Sequence, residues 1–434
     1  MTQPPSNDGI ALEPGLQLDA PVSPLRRLRA RGRIRGRLAL LGPAFVAAVA
    51  YIDPGNFATN FESGAKFGYL LVWVIVMANL MAMLVQYLSA KAGIASGRSL
   101  PELCRESFPR TANVLLWIQA EVIAISTDLA EFVGAAIGLN LLFGIPLFAA
   151  GLITAVIAFA ILALEQRGYR RFELAIIGLL GLVLLGFLYD FFAVGNQSAS
   201  GIAGGLVPGF SGSDSVLLAI GIIGATVMPH VVYLHSALTQ RRIQAHDDDE
   251  RREILRYTKY DCGIGLGTAG LINLSMLFIA VALFNKTGRT GVDSIEAAHH
   301  GLATLVGGGA GLAFGVALLA SGLSSSSVGT YAGQVVMQGF IRRSIPLFVR
   351  RAVTMTPALV VLALGLPTTQ TLVISQVVLS FGIPFALVPL IVVTNKAELM
   401  GPLVNRRATT IAASAIATVI IALNVYLIYS TIFS

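Results

Sequence analysis

The sequence predicts an all-α integral membrane fold of eleven transmembrane helices, arranged as five, five and one. Charged residues make up only 12% of the 434 residues, whereas soluble domains have about 25%, and the mean hydropathy is +0.76. Apolar stretches close to the roughly 20 residues that span a bilayer recur along the chain. Two of them, in corresponding places of the two halves, are interrupted by helix-breaking residues.

Residues 1–35 are predicted to form a disordered, basic cytoplasmic tail. The tail is rich in Pro, Ser and Asp up to about residue 25 and has no apolar periodicity. Seven arginines then precede the first apolar segment: Arg26, Arg27, Arg29, Arg31, Arg33, Arg35 and Arg37. We interpret them as a topology signal that keeps the N-terminus in the cytoplasm, rather than as a patch for anionic lipid or nucleic acid. No cleavable signal peptide is expected, because no short apolar run with a small-residue cleavage site adjoins the tail.

Residues 36–434 are predicted to form one transmembrane domain. The apolar segments lie near 38–60, 68–92, 112–142, 146–164, 172–194, 215–240, 262–284, 309–339, 350–365, 370–394 and 409–432. The first five (about 38–194) and the next five (about 215–394) have similar lengths, and each set begins with a broken segment. This pattern predicts an inverted repeat of five plus five helices, and the helix near 409–432 lies outside the repeat.

The basic residues predict the orientation. With a cytoplasmic N-terminus, 27 of the 30 Lys and Arg residues fall on the cytoplasmic side, and only Lys66, Lys286 and Arg289 fall outside. Positive loops stay inside, so we expect a multi-pass protein of the cell (inner or plasma) membrane with an extracytoplasmic C-terminus. The basic residues of the cytoplasmic regions then explain the net charge of +7, and no nucleic-acid partner is expected.

The first break places an acid, a proline and a glycine, Asp53, Pro54 and Gly55, inside an apolar segment. A carboxylate at membrane depth costs about 2.5–3.5 kcal/mol, and Pro-Gly frees backbone groups that lipid cannot satisfy. The stretch is therefore expected to line a polar cavity. Asp53 and Asn56 offer hard oxygen ligands around the turn, and Ala50 offers a candidate backbone carbonyl.

The second break, Gly224–His230, adds a different kind of donor. Ala225 offers a carbonyl and Met228 a thioether. Oxygen ligands alone suit Mg, Ca or Mn, whereas a thioether favours later transition metals, so the mixed set indicates a divalent transition metal. A lone methionine is usually a packing residue. Its place before Pro229, opposite an intramembrane acid, favours the ligand role here.

The third segment carries three acids, Glu121, Asp128 and Glu131, whose spacing puts them on one helical face. Acids in an apolar helix are costly unless they are paired or hydrated. We interpret them as a proton relay, with a purely structural ion-pair network as the alternative. Arg350 and Arg351, which open the ninth segment, are candidate partners.

Two histidines follow the second break. His230 lies two residues from the presumed ligand, which favours proton coupling, whereas for His235 a gating role and a packing role are equally supported. Gln376, in the tenth segment, is a further polar residue that can face the cavity.

Three other features of the sequence are given no part in binding or proton transfer. The small residues of Ala320–Gln334 are explained by close helix packing. The run His246–Glu250 is expected to be a solvated loop rather than a metal site, because adjacent acids repel and no ligand spacing is present. Cys104 and Cys262 are assigned no role.

Three motifs, Asp53–Asn56, Met228–His230 and Gly329–Gln334, make the chain resemble the Nramp (MntH-type) family of divalent metal transporters. The likeness covers all eleven segments and includes Thr127–Glu131 and Tyr233–Ala237. It implies the leucine-transporter fold and proton-coupled import of Mn²⁺, with Fe²⁺, Co²⁺ and Cd²⁺ as related substrates, by alternating access. A monomer in the lipid bilayer, with no cofactor and no enzymatic activity, is expected.

The resemblance also implies roles for single residues. The metal would be bound by Asp53, Asn56 and Met228, with carbonyl help from Ala50 or Ala225, and Gln376 would join it in an occluded state. The implied proton route comprises Asp53, His230, Asp128, Glu131 and Glu121, bordered by Arg350 and Arg351. One departure is Val231, where many members have Asn; we expect it to tune the helix end. Retention of Met228 argues against the magnesium-transporting branch.

Two other functions remain as alternatives. A sodium-coupled amino-acid carrier of the same fold would not need Asp53 together with Met228. An integral-membrane metalloenzyme or metal sensor should show clusters of His or Cys ligands, which this sequence does not supply within its apolar segments.

Overall fold

The computed structural model describes residues 42–166, 169–195, 197–240, 242–243, 245, 247–288 and 294–433. All regular structure in these residues is helical, which confirms the all-α prediction. The α-helices are α1 (Pro43–Ala50), α2 (Pro54–Phe67), α3 (Val72–Ser96), α4 (Leu100–Ser107), α5 (Arg110–Phe143), α6 (Leu147–Gln166), α7 (Tyr169–Val194), α8 (Ala199–Gly205), α9 (Gly212–Thr226), α10 (Pro229–Gln240), α11 (Asp248–Ala280), α12 (Ile295–Leu305), α13 (Gly308–Ile341), α14 (Leu347–Ala363), α15 (Thr368–Thr394), α16 (Ala397–Met400) and α17 (Arg407–Phe433). The predicted tail, residues 1–35, lies outside the described residues.

Each of the eleven predicted segments has a helical counterpart. By length and composition, eight helical stretches of the described chain can cross a membrane. The first of these, Pro54–Ser96, joins α2, a short 3-10 turn and α3, which the sequence divides into two segments. The apolar part of α6, Leu147–Ile161, is shorter. The number of eleven spans therefore stays a prediction, while the helical segments themselves are present.

Both predicted breaks are present. Helix α1 ends at Ala50 and α2 begins at Pro54, with Asp53 as an extended N-cap residue. Helix α9 ends at Thr226 and α10 begins at Pro229. Proline is favoured at a helix start because it lacks the N–H group and has a helical φ angle. Each proline thus begins a new helix after an unwound stretch.

Helix α13 packs closely against α5. A Cβ atom on Gly322 would lie 2.8 Å from the backbone nitrogen of Ala135 and 2.8 Å from the carbonyl oxygen of Glu131. A Cβ atom on Gly138 would lie 2.9 Å from the backbone of Leu319. These approaches leave no room for larger residues, which supports the packing role inferred for the small residues of α13.

The loops contain more helix than the sequence suggested. Helices α4, α8 and α12 lie between predicted segments. The acidic run, expected to be a solvated loop, instead begins α11: the Asp247 carboxylate accepts from the Glu250 N–H at 2.7 Å, and Asp248 pairs with Arg251 at 2.9 Å. Acids are stabilised at a helix N-terminus by the helix dipole and the free N–H groups. His246 lies outside the described residues.

The N-terminus of α1 is anchored to α11. The buried Asp261 carboxylate accepts from the backbone N–H groups of Gly42, at 3.0 Å, and Ala44, at 2.9 Å. The first N–H groups of a helix have no partner within the helix. A side chain that is distant in sequence therefore satisfies them and fixes where α1 starts.

Candidate functional site

Asp53 forms the centre of the site at the first break. Its side chain is fully buried, and its Oδ1 atom accepts from the Asn56 backbone N–H at 2.8 Å and from Asn56 Nδ2 at 2.7 Å. The first contact is an N-cap hydrogen bond, which holds the carboxylate at the start of α2. The break therefore fixes the position of the acid through the local backbone.

Asn56 connects the two broken helices. The Nδ2 atom that contacts Asp53 also donates to the Ala225 carbonyl at 3.0 Å, and Thr226 Oγ1 lies 3.5 Å from Asn56 Oδ1. Ala225 and Thr226 are the last two residues of α9. One amide group thus bridges a carboxylate of the first break and a carbonyl of the second.

Gln376 of α15 reaches the same carboxylate from another side. Its Nε2 atom lies 3.4 Å from Asp53 Oδ2. Two glycines permit the approach: a Cβ atom on Gly55 would lie 2.0 Å from Gln376 Nε2, and a Cβ atom on Gly224 would lie 1.9 Å from the Gln376 carbonyl oxygen. Three helices therefore meet at Asp53. A side chain at Gly55 would displace the Gln376 amide, and one at Gly224 would meet the Gln376 backbone.

The remaining predicted ligands, Ala50 and Met228, are fully buried at the two breaks. Between α1 and α2, the Tyr51 carbonyl accepts from Asn273 Nδ2 at 2.9 Å, and the Ile52 carbonyl accepts from the Ser321 hydroxyl. Side chains of α11 and α13 thus stabilise the unwound backbone, as the loss of helical hydrogen bonds requires.

Asp128 lies in a fully buried ion pair with Arg351. The Asp128 Oδ1 atom is 3.2 Å from Arg351 Nη1. The same nitrogen donates to the Ser326 carbonyl at 3.0 Å and to Thr330 Oγ1 at 2.6 Å, and the other terminal nitrogen donates to the Ser326 hydroxyl. Part of the serine-rich stretch of α13 therefore binds the arginine in addition to packing.

Glu131 differs from the other two acids. It is fully buried, and neither carboxylate oxygen has a hydrogen-bond partner among the described residues. A Cβ atom on Gly329 would lie 2.8 Å from Glu131 Oε2 and 3.4 Å from Asp128 Oδ1, so both acids face this glycine. Glu121 is separate, in a two-bond pair with Arg350 at 2.7 and 3.2 Å.

The two histidines contact different helices. His230 Nδ1 lies 3.2 Å from the hydroxyl of Thr127, the residue before Asp128, so it links α10 to α5. His235 Nδ1 lies 3.0 Å from Gln86 Oε1, and Gln86 Nε2 donates to the Tyr51 hydroxyl at 2.6 Å. Only His230 is thus connected to the helix of the predicted proton route.

Sequence reasoning missed several polar residues around the site. Gln86 and Asn273, which support the first break, are single polar residues within apolar segments, the same signal that identified Gln376. Asp190 of α7 was also overlooked; it is fully buried, and its carboxylate has no partner among the described residues. An acid in an apolar segment was the available signal.

The donors at the breaks form a mixed set. Within the described ranges, no three His, Cys, Asp or Glu side chains cluster as a metal site. The donors here are one carboxylate, one carboxamide, backbone carbonyls and the Met228 sulfur. A mixed set of hard and soft candidate ligands suits a divalent transition metal, whereas a structural zinc site has four N or S ligands.

Comparison with known proteins gives a family match for most of the chain. Residues 44–430 match the family Nramp, described as natural resistance-associated macrophage protein-like. The chain is 53% identical, over 92% of its length and 93% of the relative's, to the divalent metal cation transporter MntH of Bacillus subtilis. It is 34% identical to a crystal structure of the Eremococcus coleocola manganese transporter, with a TM-score of 0.82 over 92% of this chain and 87% of that one. MhsT in complex with L-phenylalanine, at 12% identity and a TM-score of 0.57 over 89% of this chain and 98% of that one, shares the fold alone.

Proposed function

This chain belongs to the Nramp family, and from that premise we propose that it imports divalent transition metals in symport with protons. The substrate is chiefly Mn²⁺, with Fe²⁺, Co²⁺ and Cd²⁺ as further substrates. One observation carries the proposal: Asp53, Asn56 and the Ala225 carbonyl converge from two broken helices at 2.7 and 3.0 Å. Broken helices in both repeats are where transporters of this kind bind their substrates.

Metal entry requires a change in the Asn56 amide. Its NH₂ group now donates to both Asp53 and Ala225, so it occupies the place of a cation between two oxygen acceptors. Rotation of the carboxamide would turn Oδ1 toward the site and withdraw the donors. Asp53, Asn56 and Ala225 would then present three oxygens to the ion.

Selectivity is assigned to Met228. Three oxygens alone would accept Ca²⁺ and Mg²⁺ as readily as Mn²⁺, whereas a thioether favours softer transition metals. Met228 is buried directly before Pro229, in the unwound stretch that follows Thr226. The carbonyl of Ala50, at the end of α1, is the further candidate ligand.

Gln376 is proposed to close the site. In the present state its amide nitrogen faces Asp53 Oδ2 at 3.4 Å. Turning the same amide would present its oxygen to a bound ion from α15, a helix that belongs to neither break. Contact from a third helix would complete the occluded state of an alternating-access cycle.

The proton route is proposed to run along α5. His230 connects the second break to Thr127, next to Asp128, and Asp128 and Glu131 both face Gly329. A buried carboxylate without a partner is strongly disfavoured relative to its neutral form, so Glu131 is suited to hold a proton. Glu121, on the same helix, is also proposed to belong to the route, which Arg350 and Arg351 of α14 border; Glu121 and Arg350 have 19% and 4% side-chain exposure.

The orientation follows the charge pattern. We infer a cytoplasmic N-terminus and an extracytoplasmic C-terminus in the cell membrane, because this choice places 27 of the 30 basic residues inside. A monomer is proposed separately, because the residues of the proposed site all belong to one chain.

The test is transport by the purified protein in proteoliposomes. Mn²⁺, Cd²⁺, Mg²⁺ and Ca²⁺ are offered separately under an inward-negative potential while lumenal pH is recorded. Mn²⁺ and Cd²⁺ should enter with acidification, and Mg²⁺ and Ca²⁺ should not. Asp53→Ala should abolish uptake in protein that elutes as a folded species. Asp190→Asn, which removes another buried carboxylate, is the matched control and should keep uptake.

Three results would count against the proposal. Near-normal transport by Asp53→Ala would refute the site. Entry of Mg²⁺ would refute the selectivity, and metal entry without acidification would refute the coupling.

A further inference from the structure

A cavity of about 740 Å³ opens between α3, α11 and α17, away from the metal site. One part of its wall is apolar and includes Leu80, Met83 and Leu84 of α3. Leu80 is 53% exposed, and Ile264 of α11, next to the lining residue Gly263, is 52% exposed. The apolar part of the cavity is therefore continuous with side chains that face the hydrocarbon of the bilayer.

The other part of the wall is strongly basic. Four cations line it, Lys91, Arg252, Lys259 and Arg406, and no acidic side chain is among the lining residues that the structure describes. Lys91 is buried and donates to the Asn405 side chain. Arg252 has an exposed helical neighbour, Asp249, at 3.4 Å. Surface pairs of this kind contribute little, so the cavity keeps a net positive charge.

The basic part lies at one level of the membrane. Lys91 is near the end of α3, Arg252 and Lys259 are near the start of α11, and Arg406 directly precedes α17. All four belong to the regions that the charge pattern assigns to the cytoplasmic side. The cytoplasmic leaflet is also where anionic lipids attract basic residues.

We propose that this cavity binds one anionic glycerophospholipid of the cytoplasmic leaflet. The headgroup phosphate is held among Lys91, Lys259 and Arg406, and one acyl chain lies against Leu80 and Leu84. A soluble anion would bind the basic residues but leave the apolar wall exposed to water. A zwitterionic lipid would cover the apolar wall but bring its own positive charge near the basic residues. An anionic lipid would both cover the apolar wall and neutralise the basic residues.

The first test separates headgroup charge from acyl contact. Delipidated full-length protein is titrated with dioleoylphosphatidylglycerol or dioleoylphosphatidylcholine, and bound lipid is counted by native mass spectrometry. One phosphatidylglycerol should bind at least tenfold more tightly than phosphatidylcholine. The double variant Lys259→Gln/Arg406→Gln should weaken that binding about 30-fold, because each basic residue near the headgroup contributes about a fivefold step. The control Arg110→Gln/Arg343→Gln removes two exposed cations elsewhere and should have no effect.

The second test fills the cavity. Gly263 lines it, and a Cβ atom there meets no other atom within 4 Å, so Gly263→Trp can be built without displacing the helix. This variant should lose the bound phosphatidylglycerol, while Gly181→Trp, at an equally open glycine of α7, should keep it. Equal binding of both lipids, retention in Gly263→Trp, or displacement by millimolar inorganic phosphate would each overturn the assignment. Displacement by phosphate would indicate a free-anion site instead.

Discussion

Substitution of Gly55 by alanine should weaken metal binding, and it should do so only by displacing the Gln376 side chain. The new Cβ atom would lie 2.0 Å from Gln376 Nε2 and 2.2 Å from its Cδ atom, whereas ordinary contacts begin at 3.4 Å. The amide must therefore move by about 1.4 Å. The obstructing atoms are the end of a flexible side chain, so the helices can stay in place. The hydrogen bond to Asp53, already 3.4 Å long, would be lost.

The expected magnitude follows from the contact with the ion that the displaced Gln376 amide would no longer make. A polar contact with a charged group contributes about 1.5–3 kcal/mol, and we take the lower end of that range. We expect Gly55→Ala to raise the Kd for Mn²⁺ about tenfold. The measurement is isothermal titration calorimetry on the purified protein, with Mn²⁺ uptake into proteoliposomes as the second readout.

A double-mutant cycle decides whether Gln376 carries the effect. Gln376→Ala alone should give a similar loss, and Gly55→Ala should add nothing in the Gln376→Ala background, because the obstructed side chain is already absent. If the increases in Kd of the two single variants multiply in the double variant, Gly55 acts through the backbone of α2 instead. Wild-type affinity in Gly55→Ala would refute the packing argument altogether.

Three further substitutions test the rest of the site. Met228→Ala should keep partial Mn²⁺ uptake and admit Ca²⁺ or Mg²⁺ in the same flux assay; continued exclusion of both would contradict a selective thioether. Asp128→Asn should reduce lumenal acidification more than Mn²⁺ entry, and an equal fall in both would argue against a proton role. Gly134→Ala should destabilise the protein by about 1–3 kcal/mol, because its Cβ atom would lie 2.0 Å from the Pro54 ring. Thermal unfolding measures this effect, with Gly178→Ala at an open position as the control; equal melting temperatures would contradict it.

The two breaks were predictable because their signals are local. Asp53 and Pro54 stand together in an apolar segment, and so do Met228 and Pro229. A proline predicts a helix start, and an acid at membrane depth predicts a polar site. Neither prediction requires knowledge of which helix packs against the segment. The structure begins α2 and α10 at these prolines.

Arg350 and Arg351 were predicted as candidate partners of the acids, and the structure confirms that they pair with two of them, but which arginine binds which acid was not predictable. Helical spacing places Glu121 and Asp128 on one face, but it cannot say that Glu121 pairs with Arg350 and Asp128 with Arg351. Such contacts join positions more than 200 residues apart. They depend on the register between α5 and α14, which tertiary packing sets.

The short helices outside the apolar segments were missed for a different reason. Hydropathy identifies elements that face lipid or the core, and α4 is neither long nor apolar. A signal was nevertheless present: Ser99 and Glu102 form a capping box, with the Glu102 carboxylate accepting from the Ser99 N–H at 2.7 Å.

The Asn56 bridge has a consequence for the direction of net flow. A carrier that accumulates its substrate must return across the membrane empty, and a lone buried carboxylate would make the empty form too unstable to do so. Here the Asn56 amide donates to Asp53 and Ala225 at 2.7 and 3.0 Å. Under the proposed function, this amide would take the place of the metal ion and satisfy the acid of the unloaded protein during the return. A protein without such a contact would exchange one ion for another, whereas the proposed transporter would run as a net importer.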